Sequence, residues 1–310
     1  MIPEPAAGRR PAQRSANRAL LTSLRPHQWT KNLLVFAGLL FGQRLLDADA
    51  LVRSLVAFAV FCALSSAVYL FNDIADRDAD RRHPLKASRP IASGALAVST
   101  AMACAIALAL VGLIVSFGYL GRDFGLVAAA YLMLQSLYST WLKGVVIIDV
   151  LTIAAGFVLR AAAGAAAIDV PMSHWLLVVT VLLALFLALS KRRHEIVLLA
   201  DGAISHRAIL GEYNPYLLDQ MISVVTSSTL VAYAFYTISP ETEQRFHTGL
   251  LGLTLPFPLY GIFRYLYLVH RKDLGGSPSE LLLTDRPLLL CVALWTAAVI
   301  AIIYGPQIWG

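Results

Sequence analysis

The stretch SLVAFAVFCALSSAVYLF, residues 54–71, carries no charge and runs directly into NDIADRDAD, residues 72–80. The first part is long enough to lie in a bilayer, where a helix needs about 17–25 mostly apolar residues. The second brings four carboxylates, Asp73, Asp76, Asp78 and Asp80, to its end. Carried through as one helix, Asp73, Asp76 and Asp80 stand at i, i+3 and i+7 and share a face, with Asn72 beside them and Asp78 turned away. Acids oppose the negative end of the helix dipole, so the arrangement needs a divalent cation or basic partners. Arg81, Arg82, Lys86 and Arg89 follow at once. A solvated polar cap is the plain structural reading, and the spacing and flanking bases weigh against it. Hard oxygen ligands on one face suit Mg²⁺ bridging carboxylates and a diphosphate, with Mn²⁺ an alternative that oxygen ligands do not separate from it.

Composition agrees with a membrane setting. The chain is 58% hydrophobic and 14% charged, with mean hydropathy +0.69, where a soluble domain is nearer about 25% charged. The reading is an all-α polytopic membrane protein of about nine transmembrane helices around a central cavity. The windows lie near 31–46, 51–72, 96–118, 123–141, 146–165, 174–191, 217–238, 248–269 and 287–304, the first being the weakest. Residues 1–22, rich in Pro, Ala and Arg, are expected to be a disordered basic segment, and 23–310 a single transmembrane domain. Cys62, Cys104 and Cys291 sit in apolar windows without CxxC spacing and read as packing residues.

Arginine and lysine set the expected orientation. The N-terminal segment and the loops after the second, fourth, sixth and eighth windows hold nearly all of them, and the other side has only Arg44, Arg53, Arg122 and Arg245. The positive-inside rule puts the N-terminus and the aspartate run on the cytoplasmic side of a plasma membrane. The net charge of +6 suits anionic headgroups or phosphorylated substrates, and nothing points to nucleic acid.

The same side carries the other polar clusters. Lys31 and Asn32 stand at the mouth of the first window, beside Trp29. Tyr138 and Lys143 close the fourth. Asp149 opens the fifth among Val145, Val146, Ile147, Ile148 and Val150, where a lone carboxylate must find a proton, a metal or a cation. Arg160 lies about three turns deeper on nearly the same face, too far for a direct ion pair. The sixth window ends in Lys191, Arg192 and Arg193, either a topology signal or a cradle for diphosphate oxygens. Asp285-Arg286-Pro287 reads as a helix start. His206, His247 and His270 stand apart from any carboxylate or serine that would make a triad. A homo-oligomer remains open, since the small residues of 161–167 can pack within one chain or between two.

Taken together, Asn72-Asp73 through Asp80, with Pro84, Lys86 and Arg89-Pro90-Ile91-Ala92-Ser93-Gly94, resemble the first aspartate-rich motif of the UbiA superfamily of intramembrane prenyltransferases. That resemblance implies helices around a lipid-facing cavity with Mg²⁺ and diphosphate held at the cytoplasmic side. Most members carry a second DxxxD after the sixth helix; here the place reads Ser190-Lys191-Arg192-Arg193-His194-Glu195. This basic version, with Leu24-Arg25-Pro26, Trp29-Thr30-Lys31-Asn32, Tyr138-Ser139, Leu142-Lys143, Ile148-Asp149-Val150, the run from Gly261 to Tyr267, and Asp285-Arg286-Pro287, is similar to the decaprenyl-phosphate phosphoribosyltransferase branch. The resemblance implies a transferase that moves 5-phosphoribose from 5-phosphoribosyl 1-diphosphate to a polyprenyl phosphate for cell-envelope glycan synthesis. Asp73, Asp76 and Asp80 would be metal ligands and, with Asp149, catalytic. Lys31, Asn32, Asn72, Lys86, Arg89, Tyr138, Lys143, Arg160, Lys191, Arg192 and Arg193 would bind substrate. The alternatives are transfer of a prenyl group from prenyl diphosphate to an aromatic or glycerophosphate acceptor and, more remotely, a transporter or lipid scramblase.

Overall fold

A computed structural model describes residues 16–83, 86–199, 208–272, 276 and 278–309. Pro84, His206 and Arg207 lie outside the described residues. Thirteen α-helices follow in order: α1 Ala16–Leu24, α2 Ala37–Phe41, α3 Ala48–Ala75, α4 Arg77–Arg82, α5 Val98–Val115, α6 Arg122–Thr140, α7 Ile148–Ala167, α8 His174–Leu199, α9 Pro215–Ile238, α10 Pro240–Phe246, α11 Pro256–Arg271, α12 Pro278–Thr284 and α13 Arg286–Trp309. The protein is an all-helical, multi-pass membrane protein. Among the described residues six helices are long and apolar enough to span, or seven if α10 and the stretch Leu250–Arg271, bent at 101°, count as one broken span. The nine windows all fall on helical stretches. Helix α6 is long enough to cross, but Tyr131, Gln135, Ser136, Tyr138, Ser139 and Thr140 reduce its hydropathy. The first window is a 3-10 segment, Pro26–Phe36, followed by the short α2.

Disorder to residue 22 is corrected from Ala16 onward. Residues 16–24 form α1, because Ala19, Leu20 and Leu24 pack on Leu70, Ile91, Leu96 and Ala101.

Helix starts are written locally. Asp47 caps α3, accepting from the backbone N–H of Asp49 and Ala50 at 2.9 and 3.1 Å, and Asn214 caps α9 by accepting from Leu217 N–H at 2.8 Å with Pro215 in the first turn. Asp285 does the same for α13, accepting from Leu288 N–H at 2.9 Å, as the Asp-Arg-Pro sequence leads one to expect.

Ties between helix ends show that the long helices alternate in direction. At one end Arg53 donates to the carbonyls of Leu120 and Ala167 at 3.0 and 2.6 Å, Tyr304 donates to Leu40 O at 2.9 Å, and Gln43 donates to Arg245 O at 2.7 Å. At the other, Lys143 meets Asp76, Arg193 meets Asp219 and Arg264 meets Asp285. The polar clusters therefore gather at one end of the bundle. Leu110, Ile114, Met133, Val224 and Leu290 stand exposed along the helices, as lipid-facing residues must.

The small-residue stretch of α7 packs inward. Ala161, Ala163, Gly164, Ala165 and Ala167 are buried within the chain, and Gly164 receives the backbone of the 3-10 segment so closely that a Cβ there would stand 1.8 Å from Val35 O.

Candidate functional site

Helix α3 does not run unbroken through the aspartates. It ends at Ala75, Asp76 forms the joint, and α4 resumes at Arg77. Backbone bonds from Asp76 N to Asn72 O and from Asp80 N to Asp76 O, both 2.8 Å, keep the register nearly helical. Asp73 and Asp80 thus share a face and are 3% exposed, while Asp76 is half-buried and Asp78 turns to the surface. The single helix that the run implies is interrupted at Asp76, which is the more exposed of the three carboxylates.

Each buried carboxylate has a basic partner. Arg89 donates one nitrogen to both Asp73, at 3.1 Å, and Asp80, at 2.7 Å. Arg25 reaches Asp73 at 2.6 Å from the turn before the 3-10 segment and lies 5.0 Å from the Tyr69 ring centroid. Lys143 pairs with Asp76 at 3.1 Å. Among the described residues no three His, Cys, Asp or Glu side chains come together as a ready-made metal-ligand set. The donor chemistry nevertheless fits a hard cation: Asp73 and Asp80 converge on one nitrogen, and the side-chain amide oxygen Oδ1 of Asn72 is buried with no hydrogen-bond partner among the described residues.

Asp149 finds a cation. It is fully buried in the first turn of α7, where the helix dipole favours an acid, and Arg192 donates to its Oδ2 through Nε at 2.8 Å and Nη2 at 2.7 Å. Arg192, itself 3% exposed, also holds Glu195 at 2.6 Å. The second oxygen of Asp149 accepts from Tyr213 O–H at 2.8 Å. Tyr213 was not legible as a site residue, since a lone tyrosine beyond a loop carries no spacing signal. Its hydroxyl also accepts from Ile147 N–H at 2.7 Å, pinning a β-branched residue at φ 69, a conformation Ile rarely adopts. Burial, with Asp149 adding, pushes the Tyr213 phenol up to about 12 and keeps it a donor.

Arg160 solves its burial without a carboxylate. It donates to Asn32 Oδ1 at 2.8 Å, Gly156 O at 2.7 Å and Tyr131 O–H at 2.8 Å, with its guanidinium 4.8 Å from the Tyr131 ring centroid. Asn32 in turn donates to Ser65 at 3.2 Å. Lys31, by contrast, makes no hydrogen bond or ion pair among the described residues. Its segment lies outside the spanning helices; enclosure by protein, then Lys191, Arg160 and Arg25 nearby, push the ammonium down to about 7. Lys191 leans toward Glu195 at 3.9 Å. Tyr138 lies close enough to Arg192 to interact electrostatically, and Lys86 has a contact of its own.

Arg193 stands apart from these groups in its partners: it is committed to Asp219 at 2.5 Å, which also meets His270 at 3.2 Å. The reading of His270 as remote from any carboxylate is corrected by that contact, formed between α9 and α11 across positions no sequence spacing connects. The structure thus joins Asp73, Asp76, Asp80, Arg89 and Lys143 in one set, and Asp149 and Arg192 in another. Lys31, Asn32 and Arg160 lie between the 3-10 segment, α3 and α7.

An all-helical membrane bundle with buried carboxylates and cations gathered toward one end has the form of an intramembrane transferase. The chain belongs to the UbiA prenyltransferase family, which it matches over residues 32–282. It is 33% identical over 296 residues to the decaprenyl-phosphate phosphoribosyltransferase of Mycolicibacterium smegmatis, covering 92% of both chains, and 32% identical over 295 residues to that of Corynebacterium glutamicum, covering 92% of this chain and 86% of the relative. The nodulation protein NoeC of Azorhizobium caulinodans is 29% identical over 272 residues, 86% of this chain and 88% of that one. A UbiA homologue from Archaeoglobus fulgidus, solved with DMAPP and Mg²⁺, shares the fold at TM-score 0.69 and 19% identity, over 92% of this chain and 99% of the other.

Proposed function

We propose that this transferase moves 5-phosphoribose from 5-phosphoribosyl 1-diphosphate to a polyprenyl phosphate, releasing diphosphate, at the cytoplasmic end of the bundle. The observation that carries it is Lys31: it makes no hydrogen bond or ion pair among the described residues and, within electrostatic reach of Lys191, Arg160 and Arg25, adds positive charge that an anion would satisfy. Two substrates that together bring a diphosphate, a 5-phosphate and a lipid phosphate need that surplus. The names of the actinobacterial relatives and the basic run at 191–193, where an aspartate pair is usual, support the same reading. The lysines and arginines that crowd this end support its cytoplasmic placement.

Asp73, Asp76 and Asp80, with Asn72, would hold Mg²⁺ or Mn²⁺, which supplies charge neutralisation for the departing diphosphate. Arg89, Lys143, Lys31 and Lys191 bind phosphate oxygens and so position the donor. The C1–O bond to diphosphate breaks, and a C1–O bond to the lipid phosphate forms on the opposite face, inverting the anomeric centre. That phosphate is already ionised near neutral pH, so no general base is required of the protein. Arg192 and Asp149 are committed to each other, and their part is to fix α8 against α7 beneath the substrate groups.

The test is transfer of label from phosphoribosyl diphosphate into the organic phase by nanodisc protein with Mg²⁺ and a polyprenyl phosphate. Transfer that fails with Asp73→Ala and with chelator supports the assignment. A folded preparation that instead prenylates an aromatic acid from prenyl diphosphate overturns it. A transporter or scramblase would spread ionisable groups along the membrane depth, whereas here Arg160 alone of the site lies deep within a span.

A further inference from the structure

The carboxylates of the first motif are neutralised one for one. Asp73, Asp76 and Asp80 face Arg25, Lys143 and Arg89, and Arg89 spans two of them. A divalent cation arriving alone would meet a site whose three carboxylates are balanced by three cations, with one oxygen of each held by a guanidinium or ammonium donor. We propose that Arg25, acting with Arg89 and Lys143, is an internal counter-ion that keeps these carboxylates closed to a free divalent cation, so that metal enters only together with an anionic phosphate group. The inference rests on the metal–diphosphate reading above and adds an order of loading to it.

Three features single out Arg25. Its guanidinium makes the shortest contact to the buried Asp73, 2.6 Å. Besides its contact with that carboxylate it is within electrostatic reach of Lys31, which makes no hydrogen bond or ion pair among the described residues, so it acts on both the acidic and the basic half of the site. Its backbone is left-handed, φ 52 and ψ 59, at the junction of α1 with the 3-10 segment, a conformation disfavoured for arginine and favoured for glycine. An arriving diphosphate offers Arg25 and Arg89 a second acceptor of higher charge. Transfer of their hydrogen bonds to it frees oxygens on Asp73 and Asp80, and because Arg89 bridges both, its movement opens two ligands at once. Arg25 is thus a positioning residue for the metal.

The experiment is equilibrium dialysis of the full chain in nanodiscs against Mn²⁺, with and without inorganic pyrophosphate. Wild type should retain Mn²⁺ weakly alone and about tenfold more tightly, or better, with pyrophosphate. Arg25→Gln should tighten retention of Mn²⁺ alone by about the same factor, whereas Arg25→Lys, keeping the charge, should not. Arg25→Gly relieves the backbone while removing the counter-ion, so it guards against a folding defect and should behave as Arg25→Gln. Wild type that retains Mn²⁺ alone as tightly as with pyrophosphate, or folded Arg25→Gln and Arg25→Gly proteins with unchanged Mn²⁺ affinity, would overturn the counter-ion role and leave the metal–diphosphate reading standing. Retention of neither probe by wild type or any variant would overturn both.

Discussion

Replacing Arg192 by Met should destabilise the protein more than replacing Asp149 by Asn, although both changes remove the same ion pair. With Arg192 gone, Asp149 keeps, among the described residues, the Tyr213 hydroxyl while fully buried; a buried charge stripped of its partner costs about 3–5 kcal/mol. Glu195 also loses its arginine but is 27% exposed and lies 3.9 Å from Lys191, which adds little. With Asp149 changed to Asn, Arg192 retains Glu195 at 2.6 Å and the amide oxygen still accepts a hydrogen bond. The loss is then that of a charge-assisted bond, about 1–3 kcal/mol. The difference of about 2 kcal/mol is roughly thirtyfold in the unfolding equilibrium. The double variant should cost less than the sum, because Asn beside Met leaves no charge unpaired. Unfolding followed by circular dichroism under denaturing detergent reads all three. Equal losses, or a larger loss for Asp149→Asn, would refute the assignment of Arg192 as the counter-ion on which Asp149 depends.

Other outcomes follow from the same geometry. Removing divalent metal with chelator should abolish transfer but leave thermal unfolding unchanged, because Asp73, Asp76 and Asp80 already have basic partners; a marked fall in unfolding temperature would contradict that. Burial and the neighbouring cations push the Lys31 ammonium down to about 7, so below that pH it is charged and adds to anion binding, and above it binding must take up a proton. Phosphoribosyl diphosphate affinity should therefore weaken between pH 7 and pH 9, by up to about tenfold per unit, and Lys31→Arg should remove the dependence because guanidinium stays protonated; an unchanged profile in Lys31→Arg would count against it. Gly164→Ala must push the 3-10 segment away from α7, since the new Cβ would stand 1.8 Å from Val35 O. A loss of about 1–3 kcal/mol is expected, and a neutral result would mean the two backbones are less closely apposed.

The helical extent and the polar end were readable because periodicity and charge asymmetry are local properties. The nine apolar windows coincide with helical stretches, and Asp73, Asp80 and Arg89 meet as their spacing along one turn-and-return implies. The joint at Asp76 was not readable, as nothing in Asp76-Arg77 marks a helix break. Long-range pairing was also hidden. Asp149 announced that it needed a partner, but Arg192, 43 positions away, looked like a phosphate ligand because its neighbours Lys191 and Arg193 have the same charge. Their different partners come from helix rotation: Arg192 faces α7, while Arg193 faces Asp219 on α9. Arg25 was visible only as part of a motif, since its contact with Asp73 depends on how α1 turns into the 3-10 segment.

That 3-10 segment also constrains how the chain is made. A backbone wound this way over eleven residues is unusual in length, and packing by its neighbours is what holds it. Its cover is α3 on one side and Gly164 of α7 on the other. Residues 26–36 leave the ribosome long before position 164, so they have no finished berth when they emerge. Their cover is complete only once α7 is present. Residues 26–36 are thus translated before a helix that covers them, and a nascent chain arrested before α7 should leave the Lys31 region open to labelling from the water.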